Sequence, residues 1–248
     1  PEICGLTERL FHGCFAGSGQ TGALITLILQ ILGVACAGAN RMLTAPKAFI
    51  LYGPGGANGK SEILKLIRNF IPEGAVSAVP PADFEKDQYL ATLVGKMANI
   101  SDELASFKAI SSEKFKQVVT GERLAAKEVY RPVFTFEPAL INLFATNSLP
   151  GFTGGIDGGV RRRVAIIPFQ NTIPQKDRVI DIGKRVATEE GDLLLSLATK
   201  ALQQVVSAGT FSMPSCVTGV TEQWLYDTDP VLGWLESGYM ERTVRKGL

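Results

Sequence analysis

The residues best suited to chemistry begin at YGPGGANGKSEI, residues 52–63, where Lys60 and Ser61 close a glycine-rich stretch. Phosphate-binding loops read Gly, four residues, Gly-Lys-Ser/Thr. Backbone N–H groups wrap the phosphates, the lysine adds a mobile charge and the hydroxyl reaches magnesium. Counting back from Gly59-Lys60-Ser61 puts Pro54, not Gly53, in the first glycine's place, so this loop carries an extra residue. The lysine end is intact, and the surplus falls on the strand side, where Gly55, Gly56 and Ala57 can absorb it as a bulge. Gly55, Gly56, Ala57, Asn58, Gly59, Lys60 and Ser61 are therefore the candidate phosphate ligands, at the start of a helix whose N-terminus favours an anion. The bland alternative is a glycine turn with an incidental lysine; it does not explain why an apolar strand precedes the loop and a helix follows it.

Two further polar groups end apolar runs. MANISDEL, residues 97–104, closes on Asp102-Glu103. Adjacent carboxylates at a strand tip can divide the work, Asp102 holding magnesium through water and Glu103 taking a proton from the attacking water. LFATNSLP, residues 143–150, ends in Asn147, which could orient water against a γ-phosphate; the plainer reading is an asparagine starting the turn before Pro150. GGVRRRVAIIPF, residues 158–169, sets Arg161, Arg162 and Arg163 before an apolar strand. An arginine reaching a neighbouring subunit's γ-phosphate stabilises charge in phosphoryl transfer, and a solvated or phosphate-contacting basic patch is the competing reading.

These groups need strands to end beside one another. KAFILYG (47–53), KMANIS (96–101), EPALINLFATN (137–147) and RRVAIIPF (162–169) read as buried strands, while SEILKLIRNFI (61–71) and SSEKFKQVVTG (111–121) have helical spacing. Alternating strand and helix predicts an α/β core with a mainly parallel sheet. Residues 1–43 read as mostly helical, and beyond Asn171 the pattern turns helical again, most clearly in DLLLSLATKALQQVVSAG (192–209) and finally through DPVLGWLES (229–237). One segment, GALITLILQILGVACAGA (22–39), is uncharged and of membrane-span length. Thr26, Gln30, Gly33 and Ala37 share a face of it that suits helix packing, which favours a buried or intersubunit helix over a membrane anchor.

With 248 residues, 46% of them hydrophobic, the chain can bury a large core in one or two domains. Lys plus Arg number 25 against 24 Asp plus Glu, so any grip on nucleic acid must come from local clusters. Cys4, Cys14, Cys36 and Cys216 form no Cys-x-x-Cys pair and His12 is the single histidine, which excludes a zinc site of ordinary spacing and reads as reduced thiols of an intracellular, cytoplasmic protein. His12 and Cys14 lack orienting partners for nucleophilic catalysis and read as structural. The chain starts at Pro1 with no signal peptide, which predicts a piece of a longer protein.

In order and spacing, AFILYGPGGANGKS, GKMANISDEL, FKQVVTGERLAAKEVYRPVFTFEP, LFATNSLP and GGVRRRVAIIPF resemble the superfamily 3 helicase domain of phage, plasmid and poxvirus primase-helicases, across residues 29–169. The resemblance implies an AAA+-like P-loop ring, hexameric, that hydrolyses ATP with Mg2+ to move along single-stranded DNA in the replication of a virus, phage or mobile element. It also implies a primase or polymerase domain upstream. Carried over by position, Gly59, Lys60 and Ser61 match the Walker A end, Asp102 and Glu103 the Walker B end with Ser61 and Asp102 toward Mg2+, and Asn147 the sensor asparagine. Lys116 matches a lysine near a neighbour's nucleotide, Arg162 and Arg163 the paired arginines that include the finger, and residues 122–135 the DNA-binding hairpin with Lys127 and Arg131 facing the pore. The sequence departs from that pattern in its extra loop residue, in Thr-Gly-Glu-Arg for Thr-Gly-Gly-Asp, in Glu62 after Ser61, and in Arg161 where an aromatic is frequent. The expected organisation is an N-terminal helical oligomerisation segment (1–46), a P-loop ATPase core (47–170) and a C-terminal helical segment (171–248). Two other classes compete: a ring that binds or loads onto DNA without strong unwinding, and a small-molecule P-loop kinase, which leaves Lys116 and the arginines without a role.

Overall fold

The computed structural model describes residues 5–102, 104, 108–153 and 155–228. Its elements run α1 (Gly5–Phe15), α2 (Thr21–Ala37), β1 (Ala48–Tyr52), α3 (Lys60–Asn69), β2 (Val76–Ser77), α4 (Asp87–Ala91), β3 (Ala98–Ser101), β4 (Ile110–Ser111), α5 (Ser112–Thr120) and β5 (Leu124–Ala126). They continue with β6 (Phe134–Phe136), β7 (Ile141–Thr146), β8 (Phe152–Thr153), α6 (Gly158–Arg163), β9 (Val164–Pro168), α7 (Ile182–Glu189), α8 (Gly191–Ala208) and α9 (Ser215–Asp227).

The central sheet has five strands in the order β2-β3-β7-β1-β9, and every pairing in it is parallel. Both faces are covered, which is why β7 and β9 are buried at every residue and read as continuous apolar runs. Phe49, Leu51, Leu143, Ala145, Ala165 and Ile167 point to one face, where α1, α2, α3, α7 and α8 pack. Ile50, Phe144, Val164 and Ile166 point to the other, against α5, the β5–β6 hairpin and Trp224 of α9. Parallel pairing sends all five strand ends to one edge. β7 lies between β1 and β3, so the strand ending at Asn147 separates the strand of the phosphate loop from the strand of Asp102. Ligands of open parallel sheets bind at this carboxyl edge.

Helix α2 is apolar around nearly its whole circumference because it is enclosed. Gly33 lets it approach α8 so closely that an added Cβ would stand 2.5 Å from the Ala198 carbonyl oxygen. Buried Gln30 is satisfied by the 208–215 connection: its Oε1 accepts from Ser212 N at 2.9 Å and its Nε2 donates to Ser212 Oγ at 3.0 Å. Among the described residues no helix is long and apolar enough to cross a membrane.

The structure redraws two elements. The strand expected over 137–147 is limited to Ile141–Thr146, because Pro138 has no N–H to give a ladder and the Leu140 carbonyl instead accepts from Asn40 Nδ2 at 3.0 Å. The arginines expected at the head of a strand lie on α6 instead. The Asp157 carboxylate caps that helix by accepting from Val160 N at 2.8 Å, and β9 starts only at Val164. The last helical stretch read from DPVLGWLES lies outside the described residues.

Candidate functional site

The loop from Gly53 to Gly59 joins β1 to α3 in a conformation that its glycines permit. Gly59 has φ +87, and a side chain there would collide with Cys14 Sγ of α1. Gly55 and Gly56 stand in open space, and Ala57 turns left-handed at φ +59, a region an L residue seldom adopts. The Ala57 carbonyl accepts from Ile173 N at 2.8 Å, so the strap after β9 holds the loop from outside. Asn58 is buried and donates from Nδ2 to the Gly55 carbonyl at 2.7 Å, closing the loop on itself.

Lys60 is the electrostatic centre. It is 7% exposed, and its ammonium donates to Gly53 O at 2.9 Å, Asn58 Oδ1 at 3.1 Å, Asn147 Oδ1 at 2.9 Å and, more weakly, Gly55 O at 3.4 Å. Each of these partners is a neutral oxygen. Desolvation pulls its pKa below the ordinary lysine value. A buried charge of this kind is costly until an anion arrives.

Ser61, Asp102, Thr146, Asn147 and Ser148 line a polar cleft of about 340 Å³ with Lys60. The three strand ends thus bring together Lys60, Ser61, Asp102 and Asn147, which lie far apart in sequence. Asp102 is exposed at the tip of β3, and its Oδ1 accepts from Arg68 Nη2 of α3 at 3.2 Å. The same Nη2 reaches the Ile100 carbonyl at 3.3 Å. Arg68 carries no motif signal; only the packing of α3 beside β3 puts it here. Glu103 lies outside the described residues. Among the described residues no group of three His, Cys, Asp or Glu side chains could hold a metal unaided. One hydroxyl and one carboxylate beside a phosphate cradle is nevertheless a donor set that fits magnesium, which keeps water and takes much of its shell from the phosphates.

A larger cavity, about 710 Å³, opens on the other flank of the loop between α1, α3 and residues 171–182. Leu10, Gly13, Gly59, Ile173, Val179 and Ile182 are among its walls. On its rim Lys65 bridges Glu62 at 2.8 Å and Asp181 at 2.9 Å. Cys14, packed against Gly59, is a buried thiol with its pKa pushed up to about 12 by desolvation, with Glu62 adding to the rise.

The remaining candidates lie elsewhere. Lys116 on α5 donates to Asp157 Oδ2 at 2.6 Å, and that bond, ahead of the one from Val160 N, holds the Asp157 carboxyl below its usual range. Arg163 is half-buried, donating from Nε to Thr120 Oγ1 at 2.6 Å and from Nη1 to the Gly159 carbonyl at 2.9 Å. Arg161 and Arg162 are exposed, with Arg162 Nε bonded only to the Gly158 carbonyl of its own helix at 3.1 Å. Lys127 and Arg131 project on the loop between β5 and β6, an antiparallel hairpin with Leu124 opposite Phe136 and Ala126 opposite Phe134. None of these six side chains lines the polar cleft of their own chain.

Residues 51–163, which carry the loop, Asp102, the hairpin, Asn147 and the arginines, match the model of a family of unknown function, DUF5906. No curated protein matches the chain. Among solved structures it is similar to the A form apo structure of the NrS-1 C-terminal region, 14% identical with a TM-score of 0.62, over 95% of this chain and 54% of that one. An A form apo structure of NrS-1 CTR(305-718) matches at 15% identity and a TM-score of 0.60, with the same coverage. A JCV helicase structure matches at 13% identity over 95% of this chain and 68% of that one, but at a TM-score of 0.37 it bears no weight on the fold. The chain therefore spans about half the length of the NrS-1 region and shares its fold.

Proposed function

We propose that this chain is the ATPase motor domain of a DNA helicase, working on single-stranded DNA as a ring, hexameric by its resemblance, with a primase or polymerase domain upstream. The observation that carries the reading is the buried Lys60 ammonium, whose hydrogen-bond partners among the described residues are all neutral oxygens, in one cleft with Ser61, Asp102 and Asn147. An anion at the loop replaces weak partners with a full countercharge, and the start of α3 points its free N–H groups the same way. The apolar cavity beside Gly59 favours a nucleotide over free phosphate, since it offers room for a nucleoside next to the cradle.

In this reading Lys60 leaves Asn147 for the β- and γ-phosphates, and Asn147 is freed to hold the attacking water. Asp102, released from Arg68, would with Ser61 hold magnesium, and Glu103 accepts the water's proton. Magnesium, when held by Ser61, Asp102 and the phosphates, supplies neutralisation of the charge gathering on the phosphate oxygens. Of the two arginines matched to the family's pair, Arg162, exposed and lightly bonded, is the one free to enter a neighbour's site. Arg163, engaged with Thr120 and Gly159, positions α6 for it. Lys116 reaches a neighbour's nucleotide only by giving up Asp157.

The test is ATP turnover by the purified chain, with and without single-stranded oligonucleotide, alongside mass measurement of the assembly. Turnover that rises with DNA and assembly and falls by about 10²-fold or more in Lys60→Ala is expected. DNA binding with no turnover would replace the motor by a loading ring, and a phosphorylated small-molecule product would replace it by a kinase. A strictly monomeric ATPase indifferent to DNA would refute it outright.

A further inference from the structure

The loop joining β5 to β6, residues 127–133, gathers large apolar side chains in solvent. Val129 is 55%, Val133 62% and Tyr130 100% exposed. The base of the hairpin is anchored, since Leu124 and Ala126 are buried and the rings of Phe134 and Phe136 stand 6.2 Å apart against the second core. Arg123 Nε ties its two arms by donating to Thr135 Oγ1 at 3.3 Å. The tip is shaped as well: Arg131 N donates to the Glu128 carbonyl at 3.2 Å, and Tyr130 takes φ +60, which aromatic residues rarely adopt. A rigid stem thus presents a fully solvated ring between two cations, Lys127 and Arg131, the latter half-neutralised by Glu128 at 2.9 Å. Burial gives Tyr130 no stake in the fold, so its use lies outside it.

We infer that Tyr130 is a base-stacking side chain for single-stranded nucleic acid, its ring lying on a base while Lys127 and Arg131 take the phosphates on either side. The inference rests on the motor reading above and adds a residue that the charge pattern alone does not provide. Stacking needs an accessible aromatic face and tolerates any base, which suits a motor that must pass all sequences. A protein partner is the less fitting occupant, because interface anchors usually sit in surrounds that exclude water, whereas this ring is fully solvated between Lys127 and Arg131, and Val129 and Val133 beside it are themselves more than half exposed.

The experiment is fluorescence anisotropy of labelled oligo-dT with the full chain, comparing wild type, Tyr130→Ala, Tyr130→Phe and Lys127→Ala across a salt series, with ATP turnover in the absence of DNA as control. Tyr130→Ala should weaken binding by about tenfold or more, Tyr130→Phe should stay within about threefold of wild type, and DNA-free turnover should not change. Lys127→Ala should lower the salt slope by about 0.7, while Tyr130→Ala should leave it in place. Wild-type affinity in Tyr130→Ala, or equal losses in the Phe and Ala variants, would overturn the stacking role alone. So would an altered assembly mass with unchanged affinity per assembled ring, which would mark the tip as a contact between copies. Absence of any DNA binding by the wild type would instead sink the motor reading and the stacking role together.

Discussion

The cleft at the carboxyl edge of the sheet and the α5–α6 face treat their cations in opposite ways. In the cleft, Lys60 is buried, and its hydrogen-bond partners among the described residues are all neutral oxygens. On the α5–α6 face, Lys116 is paired with Asp157, Arg163 is tied to Thr120 and Gly159, and Arg161 and Arg162 face solvent. The first arrangement leaves a buried cation for an anionic ligand to neutralise. The second has finished its internal bonding and has exposed charge left over, which is how a surface that serves another subunit should look. In the proposed ring, one subunit would provide binding and its neighbour the last charge.

The sharpest way to break the comparison is Arg162→Ala. Turnover of the assembly should fall by about 10³-fold or more, with thermal stability unchanged. Mixing it with Lys60→Ala subunits should restore part of the activity, because each supplies what the other lacks. No recovery in mixed assemblies would mean that Arg162 acts within its own chain or not at all. Next in size, Lys60→Ala should cost about 10²- to 10³-fold in turnover. It should also abolish the rise in melting temperature that saturating ATP gives the wild type, measured by differential scanning fluorimetry.

Gly33→Leu tests the shared support of both regions. Its side chain would meet the α8 backbone, and a loss of about 2 kcal/mol in urea unfolding is expected, with cleft and α6 functions falling in parallel. A smaller effect concerns pH. Burial lowers the Lys60 pKa from 10.5, so between its folded value and 10.5 the unfolded chain binds more protons than the folded one. The Lys60 contribution to stability therefore rises with pH across that window, and the slope should be absent in Lys60→Met when urea midpoints are compared. Smallest of all, Ala57→Gly relieves a left-handed alanine and should change stability by less than about 1 kcal/mol while ATP binding persists. Loss of binding there would show that the extra loop residue needs its side chain.

Much of the core was legible because its signals are local. AFILY, with both faces buried, could only read as a continuous apolar run, and the Gly121 that ends α5 adopts the left-handed φ of +75 expected of a C-terminal glycine. The two-residue β2 was not legible, since Val76 and Ser77 are too few to show a period and are defined by pairing with Ala98 and Asn99. Helix α6 was missed because the apolar strand behind the arginines dominated the pattern. Asp157 followed by two glycines, an acceptor placed to cap a helix start, was the available signal. Arg68 beside Asp102 had none, because a helix residue facing a strand tip leaves no mark in either element's spacing.

From its order of residues alone, this protein determined an α/β alternation, a phosphate-loop candidate in the register of Gly59-Lys60-Ser61, and polar groups at the ends of apolar runs. Those follow from periodicity and from the backbone freedom of glycine, which act over a few residues. Only the tertiary structure decided that β7 stands between β1 and β3, that Asn147 therefore touches Lys60, that Arg68 holds Asp102, and that Arg163 is occupied while Arg162 is free. Strand order and the pairing of charges depend on which distant segments exclude water together, and burial of that kind is a property of the packed chain.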